Sequence, residues 1–360
     1  MNPIAIDFET YYDKECSVKP LGTWAYCHHP EFYAYLLAVW DGEESWVGHP
    51  RDFNWEYLRG KKLLAHNAFF ENTVIESLIE KGRIPDFGLK RGEVVCTANL
   101  SAFLCNRRAL KDAAMFLLGI DVSKQARTGM EGVHWADVEH LPQGAQFREY
   151  AKHDPIHCWN IHAKFSNCWS PFEQELSAMT VVECMNGMRI DTAKLDRYLN
   201  DAKLLHFATE QKLPWLAAGD PKVKPTSTKA IAIACREAGI PCTPVKAREG
   251  EEAFEAWFTK YSPIYPWVAA VAQWRSVGKF IKALETLKAR MRPDGSISYG
   301  LKYFGSHTGR WSGDAGFNVQ NMKRDPLLID TNGVLRQDDA AGIEFWNAVD
   351  NVEKAREGNL

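Results

Sequence analysis

The sequence predicts an α/β domain over its first half and a mostly α-helical region after it. Two patterns carry this expectation: short apolar runs alternate with helix-like segments up to about residue 168, and helical spacing dominates beyond it. A third observation bears on function. The chain opens on Met1-Asn2-Pro3-Ile4-Ala5-Ile6-Asp7-Phe8-Glu9-Thr10, a short apolar strand that ends in two carboxylates one residue apart.

In chain order, Ile4–Ile6 and Ala34–Trp40 read as strands. Lys62–Ala65 is a short apolar strand that leads through a polar turn to a helix from about Glu71 to Lys81. Leu110–Leu118 is helical, and Gly119 supplies its C-cap. Phe147–Cys168 is helical too, with a break or restart expected near Pro155. In the second half, Phe172–Asn186, Thr192–Ala217, Thr228–Ala238 and Trp267–Arg290 read as helices. Ser227 or Thr228 would cap the third of these, after a turn-rich break from Gly219 to Ser227. Ser296–Phe304 alternates like a strand, and the last residues, 326–360, form an acidic tail with a weak apolar pattern.

With 360 residues, 46% of them hydrophobic, the chain can fill one large core or two medium ones. No apolar run approaches the length of a membrane span, and no basic and apolar leader opens the chain, so a cytoplasmic protein is expected. Nine cysteines are scattered singly, without C-x-x-C pairs or Cys/His metal spacing, which suits reduced thiols. The net charge of -3 argues against an indiscriminate polyanion binder, yet charge is unevenly placed. Arg275 to Asp325 holds ten Lys/Arg against four Asp/Glu, and Pro326 to Leu360 holds three against seven. A basic stretch of this kind is either a phosphate-tracking surface or a solvated helix face.

The chemistry starts at the first strand. Residues i and i+2 of a strand share a face, so Asp7 and Glu9 converge on one point. Like charges held that close repel unless a cation lies between them, and oxygen-only ligands suit Mg²⁺ or Mn²⁺. Taken alone, the pair is equally two solvated, idle acids. A second segment, Leu63-Leu64-Ala65-His66-Asn67-Ala68-Phe69-Phe70-Glu71, delivers Asn67 and then Glu71 at a helix start. A third, Tyr150-Ala151-Lys152-His153-Asp154, puts a phenol and a carboxylate on one helix face.

Together, in order and spacing, the three segments resemble the DEDD superfamily of DnaQ-like 3'–5' exonucleases, whose pattern is D-x-E, then N-x-x-[FY]-D, then Y-x-x-x-D. One position departs: Glu71 stands where the family has Asp, and its longer side chain must fold back to reach the same place. The resemblance implies an RNase H-like fold, with a central mixed sheet flanked by helices. It also implies two-metal phosphodiester hydrolysis with Mg²⁺ or Mn²⁺, two ions per site. Asp7, Glu9, Glu71 and Asp154 would hold the ions, and Tyr150 would orient the attacking water. Asn67 would fix the strand end or the terminal nucleotide. Thr10, Phe8 and Phe70 would line its slot, although both phenylalanines read equally as core.

A second resemblance covers residues 172–325. Glu183-Cys184-Met185-Asn186-Gly187-Met188-Arg189-Ile190-Asp191 is similar to the turn that opens the polymerase part of family A (Pol I-like) DNA polymerases. Lys224 to Pro241 is similar to their thumb element. Thr308-Gly309-Arg310-Trp311-Ser312-Gly313 followed by Asn318-Val319-Gln320-Asn321 resembles the segment that grips primer–template phosphates, in a variant similar to phage members. This implies nucleic-acid contacts at Thr308, Arg310, Gln320 and Asn321, and along a basic thumb helix carrying Arg275, Lys279, Lys282, Lys288 and Arg290. No fingers or H-D-E motif follows, and the D-x-x-x-I-E spacing at Asp339–Glu344 lies too close to Gln320 to be the palm motif.

The expected organisation is therefore an exonuclease domain over 1–168, a thumb-like region with the start of a palm over 169–325, and the acidic tail over 326–360. The expected function is 3'–5' proofreading of a DNA 3' end, single-stranded or primer–template, without polymerase activity of its own. Palm and fingers would lie on a separate chain. Two other readings stand beside it: a free-standing repair or RNA-trimming exonuclease, and a catalytically degenerate DNA-binding subunit.

Overall fold

The computed structural model describes residues 2–122, 130–134, 144–216, 223–242, 246–314, 328–329 and 335–336. The chain forms two compact units: Met1–Ile190 with Ala289–Met322, and Asp191–Lys288 with Lys323–Leu360.

The first unit is built on five strands: β1 Ile4–Thr10, β2 Ala34–Trp40, β3 Ser45–Gly48, β4 Leu63–Ala65 and β5 Val94–Cys96. Their order is β3-β2-β1-β4-β5. The β1–β2 and β2–β3 pairs are antiparallel, and β1–β4 and β4–β5 are parallel. This mixed sheet is the RNase H-like arrangement. Its described helices are α1 Val18–Leu21, α2 Thr23–His28, α3 Ala68–Glu80, α4 Thr97–Cys105, α5 Leu110–Leu118, α6 Gly144–Phe165 and α7 Pro171–Asn186.

Alternation along β1 decides what each side of the sheet does. Ile4, Ile6 and Phe8 enter one core with Val74, Ile75 and Leu78 of α3 and Val181 and Met185 of α7. Ala5 enters another with Leu64 and Cys158 of α6. The same alternation carries Asp7 and Glu9 to the α6 side. Between Glu9 and Thr10 the β1–β2 register shifts, an irregularity that re-aims the strand end.

Several elements differ from the sequence reading. Helix α6 runs unbroken through Pro155, so the expected restart does not occur. Proline withholds one N–H from the helix, and the packed face of Phe147, Ala151, Cys158 and Ile161 holds the backbone straight past it. Helix α3 begins at Ala68 instead of Glu71, which places Glu71 in its first turn. The expected strand over Ser296–Phe304 splits in two. After β6 Met188–Arg189, β7 Ser296–Ile297 pairs with β6, while β8 Leu301–Lys302 pairs with β9 Ser312–Gly313. The split falls at Gly300, where a Cβ would stand 2.8 Å from Asp314.

Helices dominate the second unit: α8 Thr192–Glu210, α9 Thr228–Glu237, α10 Lys246–Tyr261 and most of α11 Pro266–Ala289. Asp191 caps α8 by accepting from the Lys194 N–H, and Ser227 caps α9 by accepting from Ala230. The α8 helix ends earlier than Ala217, closed by turns from Gln211 to Leu216. Pairing of Asp196 with Lys288 and of Thr209 with Gln273 shows that α8 and α11 run antiparallel. Ala202, Leu205 and Val277 fill the space between them. The tail contributes the short strands β10 Leu328–Ile329 and β11 Leu335–Arg336; its other residues, with Asp339–Glu344, lie outside the described ones.

Two consequences are measurable. Gly187 has φ of +72°, and a Cβ there would stand 2.0 Å from the Ile297 carbonyl oxygen across the β6–β7 pair. Gly187→Ala is expected to cost at least about 2 kcal/mol, read as a lowered urea midpoint. His162 is buried on α6, and burial, with Lys62 nearby, holds its imidazole down to about 4 from 6.5. The unfolded chain therefore takes up this proton first as pH falls. Stability from this group is complete above pH 6.5 and is lost as pH drops toward about 4. His162→Gln should flatten that part of the urea-midpoint profile.

Candidate functional site

Asp7 and Glu9 reach the α6 side of the sheet from alternate positions of β1, and Asp154 meets them from α6. One carboxylate oxygen from each lies within 4.8 Å of the others. Glu9 is buried, and Asp7 and Asp154 are half-buried. Glu71 arrives from the first turn of α3 and is 3% exposed. The Phe8 backbone N–H donates to its carboxylate. Burial first, then the negative charge of Glu9, holds the Glu71 carboxyl well above the usual carboxylate range. Its Oε2 is buried and has no hydrogen-bond partner among the described residues.

This donor set fits a divalent cation of the Mg²⁺ or Mn²⁺ type. It consists only of hard oxygens, it gathers like charges, and it contains a desolvated carboxylate oxygen that protein groups do not satisfy. Asp7, Glu9 and Asp154 would hold such an ion. Glu71 stands beside Glu9 at the edge of the group.

Tyr150 lies one helical turn before Asp154 on α6. It is half-buried and stacks on Phe147 at 6.2 Å. Asn67 is exposed at the start of α3 and makes no side-chain cap there. Phe8 is 4% exposed and belongs to the core. Thr10 and Phe70 meet around Tyr26, a residue in no motif. The Tyr26 hydroxyl lies 2.8 Å from Thr10 Oγ1 and donates to the Tyr11 carbonyl at 2.5 Å, and its ring stacks on Phe70 at 6.2 Å.

Cys158 also carried no motif. It lies one turn beyond Asp154 with Sγ 3.1 Å from Thr97 Oγ1. Burial above all pushes its thiol up, with smaller contributions from Cys96, Asp7 and Glu71, so Cys158 stays neutral within reach of their charge. His66, next to Asn67, contacts Thr97 Oγ1 through Nδ1 at 3.0 Å and donates from Nε2 to the Arg108 carbonyl at 2.7 Å. The Arg108 guanidinium then donates to the Tyr303 carbonyl at 2.5 Å and to Asn99 Oδ1 at 2.6 Å. A polar chain thus ties the end of β4 to the hairpin of β8 and β9 within the same unit.

That hairpin carries Thr308 and Arg310. Gly305 N–H donates to the Arg310 carbonyl at 2.8 Å, and Gly309, with φ of +74°, packs where a Cβ would stand 2.9 Å from the Phe304 ring. Trp311 anchors the turn through its indole N–H on Thr180 Oγ1 at 2.9 Å. Thr308 and Arg310 are left exposed at the turn. Gln320 and Asn321 lie outside the described residues. The basic helix sorts into two groups. Arg275, Lys279 and Lys282 line a groove between α8 and α11. Lys288 instead pairs with Asp196 at 2.6 Å, and Arg290 is 5% exposed and grips the Lys19 carbonyl at 2.9 Å. The last two hold structure together and do not continue the basic face.

The sheet and its carboxylates define the class: an RNase H-like α/β unit with an acidic centre, joined to a mostly helical unit. No known family model matches the chain, and no curated protein does. Among solved structures, the chain resembles the POL domain of Pol1 from M. smegmatis in complex with DNA primer-template and dNTP. The TM-score is 0.53 at 13% identity, over 92% of this chain and 53% of that one. The chain therefore spans about half the length of that domain, and the likeness is one of fold. NrnC of Brucella melitensis aligns over 50% of this chain and 82% of its own, with bound Mg²⁺ (TM-score 0.35, 19% identity) and in a second structure (0.36, 20%).

A metal site of this composition should reveal itself in stability. Millimolar Mg²⁺ or Mn²⁺ should raise the melting temperature, since a ligand at a hundred times its Kd adds about 2.7 kcal/mol. Asp7→Asn should remove that gain and, in EDTA, melt no lower than the unmutated chain, because it relieves repulsion. Differential scanning fluorimetry with and without chelator reads both.

Proposed function

We propose that this chain is a metal-dependent 3'–5' DNA exonuclease, the exonuclease–thumb portion of a phage-type family A DNA polymerase whose palm and fingers reside on another chain. The observation that carries the reading is the meeting of Asp7, Glu9 and Asp154 within 4.8 Å on the α6 side of an RNase H-like sheet. The polymerase part is supported by the exposed Thr308 and Arg310 turn and by the fold shared with a Pol1 POL domain. In this reading residues 1–168 form the exonuclease domain, 169–325 the thumb with the start of a palm, and 326–360 an acidic tail. The protein works in the cytoplasm, that of the host if phage-encoded. Among the described residues no helix is long and apolar enough to cross a membrane.

Asp7, Glu9 and Asp154 would hold one Mg²⁺ or Mn²⁺ ion, and Glu71 would help to hold a second. When bound, such ions would supply charge neutralisation at the scissile phosphate and lower the pKa of the attacking water. The remaining work falls to the protein. Tyr150, on the Asp154 face of α6, hydrogen-bonds the attacking water and aims it. The Phe8 N–H fixes the Glu71 carboxylate, which compensates for its extra methylene. Asn67, Thr10 and Phe70 receive the terminal nucleotide, with Tyr26 holding the last two in place. Arg310 and Thr308 contact backbone phosphate, as Gln320 and Asn321 would on the same strand of chain.

A 5'-labelled single strand incubated with Mg²⁺ should shorten into a ladder from its 3' end. Asp7→Ala and Glu9→Ala should each slow this at least about a hundredfold, the scale of losing metal-borne charge stabilisation. An intact strand with the unmutated chain would leave a DNA-binding subunit as the better reading.

A further inference from the structure

We propose that the groove between α8 and α11 is a binding site for single-stranded nucleic acid, with the phosphodiester chain along α11 and a base against His206 and Trp274. This rests on the nucleic-acid part of the reading above and not on the carboxylate centre.

The groove has a volume of about 670 Å³ and is lined by Lys203, Arg275, Lys279 and Lys282 together with His206 and Trp274. No carboxylate lines it among the described residues. Arg275, Lys279 and Lys282 follow one another at i, i+4 and i+7, so they share one helix face. At 1.5 Å per residue they span about 10 Å, close to the rise of three nucleotides at about 3.4 Å each. None of the three has a side-chain hydrogen bond or ion pair with a described residue. Their neighbours differ: Lys203 pairs with Glu285 at 2.8 Å and Lys288 with Asp196 at 2.6 Å. Acids thus neutralise the flanking lysines and leave the middle of the face bare. A row of unpaired like charges is retained at a cost in self-repulsion, and a polyanion relieves it.

The aromatic pair selects the form of that polyanion. His206 stacks on Trp274 with ring centroids 4.4 Å apart, and Glu210 accepts from the Trp274 indole N–H at 3.4 Å. His206 Nε2 is buried without a hydrogen-bond partner among the described residues. It lies over Gly278, where a Cβ would stand 3.2 Å away, so only glycine leaves room beside the nitrogen. An unsatisfied buried nitrogen costs about 1–3 kcal/mol, which a ligand's polar group recovers. Bases of a duplex are already stacked on one another and cannot use an aromatic pair in a groove; an unstacked base can. The volume suits a base and its sugar in the groove, with the neighbouring phosphates along α11.

The test uses the full chain carrying Asp7→Ala, so that binding is read without cleavage. Fluorescence anisotropy follows a short labelled single-stranded DNA, the same sequence as RNA, and its duplex, between about 50 and 200 mM salt. Replacing Arg275, Lys279 and Lys282 together by Gln should weaken single-strand binding at least tenfold at low salt. It should also reduce the log–log salt slope by about two, since each phosphate contact on a single strand contributes about 0.7. His206→Ala should weaken single-strand binding about tenfold with the slope unchanged, and leave duplex binding as it was. Circular dichroism melts check that each variant is folded. A loss in either the DNA or the RNA arm supports the site. Affinity within twofold and an unchanged slope in the triple variant overturn it, as does an equal His206→Ala loss on duplex. If the unmutated chain cuts nothing yet shows this binding, the exonuclease reading fails and the groove stands. If it cuts DNA while the triple variant binds unchanged, the groove alone fails.

Discussion

Mutual repulsion among Asp7, Glu9 and Asp154 is the constraint around which the first unit is arranged. Two unit charges at 4.8 Å repel by about 3 kcal/mol at an effective dielectric of about 20. The strand that carries two of them must therefore be held by something stronger than its own hydrogen bonds. It is held by its other face. Ile4, Ile6 and Phe8 are all buried in the core shared with α3 and α7, and each contributes about 2 kcal/mol. One seven-residue strand thus serves as anchor on one side and as acidic platform on the other. A divalent cation would remove most of the remaining strain.

Glu71 shows how the surrounding structure adapts to one atypical residue. Its longer side chain does not simply extend toward the three carboxylates. It takes the Phe8 N–H as a fixed partner, loses its solvent, and sits against Glu9. The neutral Cys158 thiol adds no further charge, and its partner Thr97 also contacts His66. Through Arg108, the same polar chain reaches the backbone of Tyr303 at the base of the Arg310 turn. The acidic centre and the basic turn are therefore parts of one packed body, although residues 191–288 separate their sequences.

How much of this was legible in advance depended on the kind of signal. Leu110–Leu118 and its Gly119 cap were read to the residue, because a helical period and a left-handed glycine are local facts. Ser227, one of the two caps expected for its helix, belongs to the same class. Pro155 misled because its local preference is real but small beside the packing of α6 on the sheet. The split of residues 296–304 was invisible, since alternation cannot say that two halves of a strand pair with different partners. Tyr26 and Cys158 escaped because neither stands at a motif spacing; each matters only through what lies across from it. Lys288 and Arg290 looked like a continuation of the basic face until Asp196 and the Lys19 carbonyl claimed them.

The sequence by itself determined the chemistry available: a D-x-E pair, an N-x-x-F-E helix start, a Y-x-x-x-D helix and an uneven spread of cations. It also determined the period of each main element, because periodicity is written in nearest neighbours. Only the tertiary structure decided which side of the sheet the acids occupy together. It also decided that Glu71 is desolvated, and that three cations of the basic helix lie beside a stacked His–Trp pair without a partner among the described residues. These are properties of distances between residues far apart in the chain. They follow from strand order and helix packing, which no local pattern encodes.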